Sequence, residues 1–270
     1  MKGSRLVIAA LAACGLAASA SSADILYAST GGINGAGGGL IYRIDTVAQT
    51  AAQVGDTGFD RVGGLDFDAG GTLYCVAGGS AGPGTLMTFD LGSGLTSVIG
   101  SINGMQGVDA IAFDGAGTLW GGGWNGSNGD LVTIDPSTGD ILTATGMSGS
   151  GNAFVAGLAF GPGGTLYGSR GNAGGRADDI VTIDTGSGVQ TALGAMEFVI
   201  SDLAYGLSGT LYGSGTDGSL YSINPVTGEK TFLFHTGISQ LSGLTSVIPA
   251  PGSISLLALG ALACRRRRQG

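Results

Sequence analysis

The chain has 270 residues, 56 of them glycine and only 11% charged, with a formal net charge of −8. Six prolines and no Gly-X-Y period exclude collagen, and 43% hydrophobic residues in patterned runs exclude a disordered polymer. Residues 24–248 hold all nineteen acids against five cations, a net of −14. Such a surface excludes nucleic acid as a partner, since lysine and arginine neutralising phosphate supply most of that affinity.

Taken in chain order, the first element is a leader. Residues 1–23 join basic Lys2 and Arg5 to an apolar run, Leu6 to Ala18, and end in Ser21-Ser22-Ala23. That order predicts a secretory signal peptide cleaved after Ala23. Within it, Leu11-Ala12-Ala13-Cys14-Gly15 resembles a bacterial lipoprotein box, which would instead acylate Cys14.

Residues 24–248 repeat one motif. GLDFDAGGTLYCVAG, AIAFDGAGTLWGGGW, GLAFGPGGTLYGSRG and DLAYGLSGTLYGSGT align on Tyr74, Trp120, Tyr167 and Tyr212, spaced by 46, 47 and 45 residues. A second segment alternates with the first and aligns on Asp45, Asp90, Asp135, Asp184 and Asn224, spaced by 45, 45, 49 and 40. Each segment places two strand-like runs around a glycine-containing turn, so each unit predicts two hairpins. Four antiparallel strands per unit of about 45 residues is the blade of a β-propeller. The sequence therefore predicts an all-β, five-bladed propeller. Its first unit begins at Asp24-Ile25-Leu26-Tyr27 without a GLAF-like strand, and Leu241 to Thr245 supplies one after the last unit. The C-terminal strand is thus expected innermost in a blade that it shares with the N-terminus, which closes the ring and removes an edge.

Few residues suggest chemistry. Asp45, Asp90, Asp135 and Asp184 enter turns, where an aspartate caps backbone amides. Asp66, Asp109 and Asp202 lie on or just before innermost strands and are the weak candidates for a calcium site at the channel. Asp178-Asp179 fall in the longest insertion and read as loop solubility. His235, the only histidine, sits in a terminal strand and reads as a rim residue, and Cys75 reads as a small packed residue. No nucleophile elbow, HExxH or histidine–carboxylate spacing is present. The expectation is a non-catalytic protein without a cofactor, with a calcium-assisted hydrolase or lyase as the alternative.

The last element is a tail. Pro249-Ala250-Pro251 precedes the uncharged apolar stretch Ile254 to Cys264, and Arg265, Arg266, Arg267 and Arg268 close it. This order resembles the PEP-CTERM sorting signal of Gram-negative envelope and biofilm proteins, with Ala250 where that signal usually has glutamate. The resemblance implies recognition by a membrane exosortase and an export route that ends at the cell envelope. It also implies a membrane-inserted short helix at 249–270, with arginines on the cytoplasmic side. The repeat of 24–248 in turn resembles the exported propellers of the NHL, quinoprotein-like and lactonase-like groups. That resemblance implies an axial site or a binding face, expected here to take an extracellular polysaccharide or a surface protein.

Overall fold

The computed structural model describes residues 23–31, 37–79, 82–126, 129–149, 154–170, 179–195 and 200–247. Residues 1–22 of the leader, the whole tail (249–270) and Asp178 lie outside them. Among the described residues, no helix is long and apolar enough to cross a membrane.

Every described element is a strand. The first three are β1 (Ile25–Thr30), β2 (Leu40–Asp45) and β3 (Thr50–Asp56). The second unit contains β4 (Val62–Phe67), β5 (Leu73–Gly79), β6 (Gly82–Phe89) and β7 (Thr96–Ile102). The third contains β8 (Gly107–Phe113), β9 (Leu119–Trp124), β10 (Gly129–Ile134) and β11 (Ile141–Gly146). The fourth contains β12 (Val155–Phe160), β13 (Leu166–Arg170), β14 (Asp179–Ile183) and β15 (Gln190–Ala195). The fifth contains β16 (Ile200–Tyr205), β17 (Leu211–Gly215), β18 (Ser219–Ile223) and β19 (Lys230–His235), and β20 (Leu241–Ser246) ends the fold.

These strands form five four-stranded antiparallel sheets, the blades of a propeller. Four are consecutive, and the remaining one has the order β20-β1-β2-β3. The C-terminal strand is therefore innermost in the first blade, paired to β1 through Leu26↔Ser246, Tyr27↔Thr245 and Ala28↔Leu244. The closure read from the sequence is the closure observed.

The core is divided among the five blade interfaces. Ile41, Val62, Leu65, Phe67 and Phe89 fill the first, while Val76, Leu86, Ile111 and Val132 fill the second. Burying each such side chain contributes roughly 1.5–3 kcal/mol, so the ring is held mainly between blades. On the second strand of each blade, an aromatic side chain packs against the innermost strand of the next. Tyr27–Phe67, Tyr74–Phe113, Trp120–Phe160 and Tyr167–Tyr205 have centroids 5.5, 5.1, 6.3 and 5.7 Å apart. The series breaks at the shared blade, where the equivalent residue of β20 is Ser246.

The turn aspartates cap as their sequence context predicts. Asp90 Oδ1 accepts from the amides of Gly92 and Ser93 at 3.0 and 2.6 Å, and Asp135 Oδ1 accepts from the amide of Ser137 at 2.8 Å. The turns at Asp90, Asp135, Asp184 and Asn224 then close through a glycine amide four residues on, as in Gly94 N to Asp90 O at 2.8 Å. The next blade's turn also presses on the outer strand before it. A Cβ on Gly100 would lie 1.9 Å from Thr138 O, and one on Gly194 would lie 2.5 Å from Thr227 O.

Candidate active site in the axial channel

The five innermost strands pack so closely that side chains at the axis must be small. A Cβ on Gly64 would lie 2.7 Å from the amide nitrogen of Ile111, and one on Gly157 would lie 2.4 Å from the Cα of Asp202. In a channel this narrow, backbone amides of neighbouring blades are within reach of one carboxylate. Every innermost pairing also carries a register shift, at Val62/Gly64, Val108/Ala110, Val155/Gly157, Ile200/Asp202 and Ala28/Thr30. Bulges of this kind re-aim side chains next to sites.

The three acids singled out in the sequence sit at different heights along the axis. Asp109 occupies the bulge of β8, near the start of the strand. Its Oδ1 accepts from Arg61 Nη2 at 2.9 Å. Burial raises its pKa, and the guanidinium opposes that shift. Asp202 is mid-strand on β16 and 1% exposed. Its Oδ1 accepts from the amides of Leu203 and Leu158 at 2.8 and 3.1 Å, and its Oδ2 accepts from the amide of Leu244 at 2.8 Å. One carboxyl thereby joins the inner strands of three blades. Burial holds its pKa well above the usual carboxylate range, against those three amides, and Asp66 adds repulsion.

Asp66 lies near the end of β4. Its Oδ1 accepts from Thr245 Oγ1 at 2.6 Å and from its neighbour Phe67 N at 2.9 Å, and its Oδ2 accepts from Phe113 N at 2.7 Å. Burial raises its pKa to about 6, against the hydroxyl of Thr245 and the two amides. Half-buried Asp66 opens on a cavity of about 110 Å³ at this end of the channel, with Phe113, Phe160, Tyr205, Thr245 and Ser246 in its wall. Burial and the neighbouring Tyr167 push the Tyr205 phenol up to about 12, so it remains a proton donor. The cavity has an aromatic side from three blades and a polar side from β4 and β20.

The acids do not fit a shared calcium ion. Asp109 and Asp66 stand three aligned positions apart along the strand direction, or about 10 Å at strand rise. Both oxygens of Asp66 and of Asp202 already accept from N–H or O–H donors, and Asp109 Oδ1 accepts from Arg61. Among the described residues, no group of three or more His, Cys, Asp or Glu side chains is placed to hold a metal.

The other singled-out residues stay away from the axis. Exposed His235 ends the outermost strand β19, with Nδ1 3.1 Å from Ser219 Oγ. Cys75 is fully buried, and burial pushes its thiol up to about 12. Asp179 pairs with Arg170 at the opposite end of β13 from its turn. Sequence reasoning missed Thr245, Phe113 and Tyr205. A signal existed in the aligned column Asp66, Ala112, Ala159, Ala204 and Thr245, where only the first and last break a run of alanines.

No family model and no curated relative matches the chain. Solved structures do match. A chain of the nidogen–laminin complex aligns with TM-score 0.53 at 15% identity, covering 84% of this chain and 98% of that one. A provisionally designated 6-phosphogluconolactonase from Bacteroides fragilis aligns with TM-score 0.50 at 11% identity, covering 84% and 98%. A gluconolactonase from Xanthomonas campestris aligns with TM-score 0.50 at 14% identity, covering 76% and 74%. These likenesses show the fold. They also correct the expectation of a non-catalytic protein, because two of the three propellers carry lactonase names. That expectation leaned on the scarcity of histidine, whereas half-buried Asp66, its pKa raised to about 6, supplies acid–base capacity without one. The chain is a five-bladed β-propeller, similar in fold to these solved structures.

Proposed function

We propose that the axial cavity is the active site of a hydrolase acting on a small, uncharged carbohydrate lactone or ester. The observation that carries this reading is Asp66, a carboxyl titrating near 6 between an aromatic wall and a hydroxyl-bearing wall. A base whose pKa lies close to the working pH combines the right protonation state with useful basicity. Phe113 occupies one lone-pair direction of Oδ2, which leaves a second for a water. In the proposed step, Asp66 takes a proton from that water as its oxygen attacks the acyl carbon. The tetrahedral intermediate collapses, the C–O bond to the ring oxygen breaks, and Asp66 returns the proton to the departing alkoxide. The products are the hydroxyl and the carboxylic acid. The aromatic side suits the C–H face of a sugar ring, and Tyr205, Thr245 and Ser246 suit its hydroxyls. The lactonase names among the fold's neighbours support this choice of reaction.

Hydrolysis of glucono-δ-lactone, followed by pH-stat, tests it. Activity is expected to rise through pH 6 as Asp66 ionises, and to fall at least 100-fold in Asp66→Asn. Thr245→Val keeps the carboxyl but removes a hydrogen bond that favours its charge, so the acidic limb of the profile shifts to higher pH. Wild-type activity in Asp66→Asn, with unchanged melting, would overturn the assignment.

We also propose that the domain works outside the cytoplasm. The basic–apolar–small order of residues 1–23 supports a leader removed after Ala23. The proline motif, apolar stretch and arginine cluster of 249–270 support membrane sorting by an exosortase-type enzyme. Cell fractionation with a tag after Ala23 checks this. Deleting residues 249–270 should move the protein from the membrane to the soluble envelope fraction, and retention on the membrane would count against the tail.

A further inference from the structure

In a chain built from one repeat, a residue that breaks the repeat without filling the core is a candidate for added function. The outermost strand of the fifth blade does this three times. Phe232 pairs across the sheet with Tyr221, and the residues in its place in the other blades are Gln53, Val98, Ala144 and Ala192. His235 stands where the others have Asp56, Ser101, Gly146 and Ala195. Lys230, the only lysine of residues 24–248, stands where they have Ala51, Thr96, Ile141 and Gln190.

These substitutions meet in space. Phe232 lies edge-on to Tyr221, with centroids 5.9 Å apart at 71°, and its ring is 5.1 Å from that of His235. Lys230 Nζ stands 5.0 Å from the centroid of Tyr221. Phe232 is 51% exposed, although its neighbours hold it in place from two sides. A single exposed apolar residue needs no explanation. A ring braced between a phenol and an imidazole, absent from four equivalent blades, does.

We propose that Tyr221, Phe232 and His235 form a stacking platform for one pyranose ring of a neutral glycan, with His235 binding its hydroxyls. Size argues against a protein partner. The open face amounts to roughly 100 Å², against about 800 Å² per side in a stable protein interface. Charge argues against an acidic glycan, because Asp217 and Glu229 flank the platform on a domain of net −14. The C–H face of a pyranose matches one aromatic ring in area and leaves its equatorial hydroxyls for the polar rim. The platform is on the outer flank, remote from Asp66, so it would hold a polymer rather than cleave it.

Affinity gel electrophoresis of the full chain in dextran, galactomannan, xyloglucan and linear β-1,3-glucan tests the proposal, with alginate as the acidic control. At least one neutral glycan is expected to retard the wild type. Phe232→Ala should weaken that retardation tenfold or more, Phe232→Trp should preserve it, and Asp66→Asn should leave it unchanged. Phe232 is exposed, so equal melting of the variants will separate binding from folding. Retardation by none of the neutral glycans, retardation by alginate alone, or wild-type migration of Phe232→Ala would each overturn the platform. Loss of retardation in Asp66→Asn would overturn it too, by moving the binding to the axis.

Discussion

The phenol of Tyr212 donates a 2.9 Å hydrogen bond to Oδ2 of Asp24, a residue 188 positions earlier. The amide of Ser208 reaches Oδ1 of the same carboxylate at 3.0 Å, and its hydroxyl reaches Oδ2. Asp24 is 2% exposed, so the fifth blade grips the first residue ahead of β1 in a dry seam. Hydrogen bonds to a charged group contribute about 1.5–3 kcal/mol. Tyr212→Phe should therefore lower unfolding free energy by about 1.5 kcal/mol, read from urea denaturation. An unchanged midpoint would show that the seam does not depend on this contact.

Asp202 is a larger test of the same ring. Its carboxyl accepts from the amides of Leu158, Leu203 and Leu244, which come from three blades. Stranding a buried donor costs about 1–3 kcal/mol. Asp202→Ala should cost more than about 4 kcal/mol, and Asp202→Asn, which keeps one acceptor oxygen, should cost less. Equal urea midpoints for the two variants would contradict the three-blade hub.

The axial carboxyls also set a pH dependence with a definite sign. Burial raises Asp66 to about 6 and holds Asp202 well above the usual carboxylate range, so between pH 4 and 6 the folded state holds protons that the unfolded state has released. Stability must then fall as pH rises through that window. The turn aspartates Asp90, Asp135 and Asp184 have lowered values and act in the opposite direction, but only below the ordinary carboxylate range. Melting temperature should decline from pH 4.5 to 7, with a shallower slope in Asp66→Asn. A rising or parallel slope would contradict the assignment.

Two glycines separate packing from flexibility. A Cβ on Gly157 would lie 2.4 Å from the Cα of Asp202, whereas one on Gly115 meets nothing within 4 Å and has no positive φ. Gly115→Ala should stabilise by about 0.5 kcal/mol through the unfolded chain. Gly157→Ala should unfold the axis or cost more than about 3 kcal/mol. Calorimetry of both variants checks the contrast.

The blades and their closure were legible because hairpin turns and strand alternation are local, and the repeat multiplies a weak signal five times. The pairing of β20 with β1 followed from the missing first strand. The site was legible only in part. Asp66, Asp109 and Asp202 were rightly placed on innermost strands, yet the bulges that set Asp109 against Arg61 leave no mark in the sequence. Thr245 and Phe113 looked like ordinary strand residues, because their role depends on which blades become neighbours at the axis. His235 was rightly read as a rim residue. Its proximity to Phe232 depends on the register shift between Leu220 and Tyr221 in the β18–β19 pairing, which alternation alone does not show.

The outer turns of neighbouring blades mesh like teeth, and this has a consequence for how the gene can change. From Asp90 to Gly94, Asp135 to Gly139, Asp184 to Gly188 and Asn224 to Gly228, the turn keeps one length and one closing hydrogen bond. In the blades where the next turn's carbonyl meets an outer glycine, as Thr138 meets Gly100, an extra residue in one turn would displace two blades at once. The unequal spacings of 49 and 40 residues between turn markers must then be absorbed elsewhere in the unit. Duplicated blades in this chain can drift freely in length only where they do not interlock, so insertions arising there are the raw material for new loops.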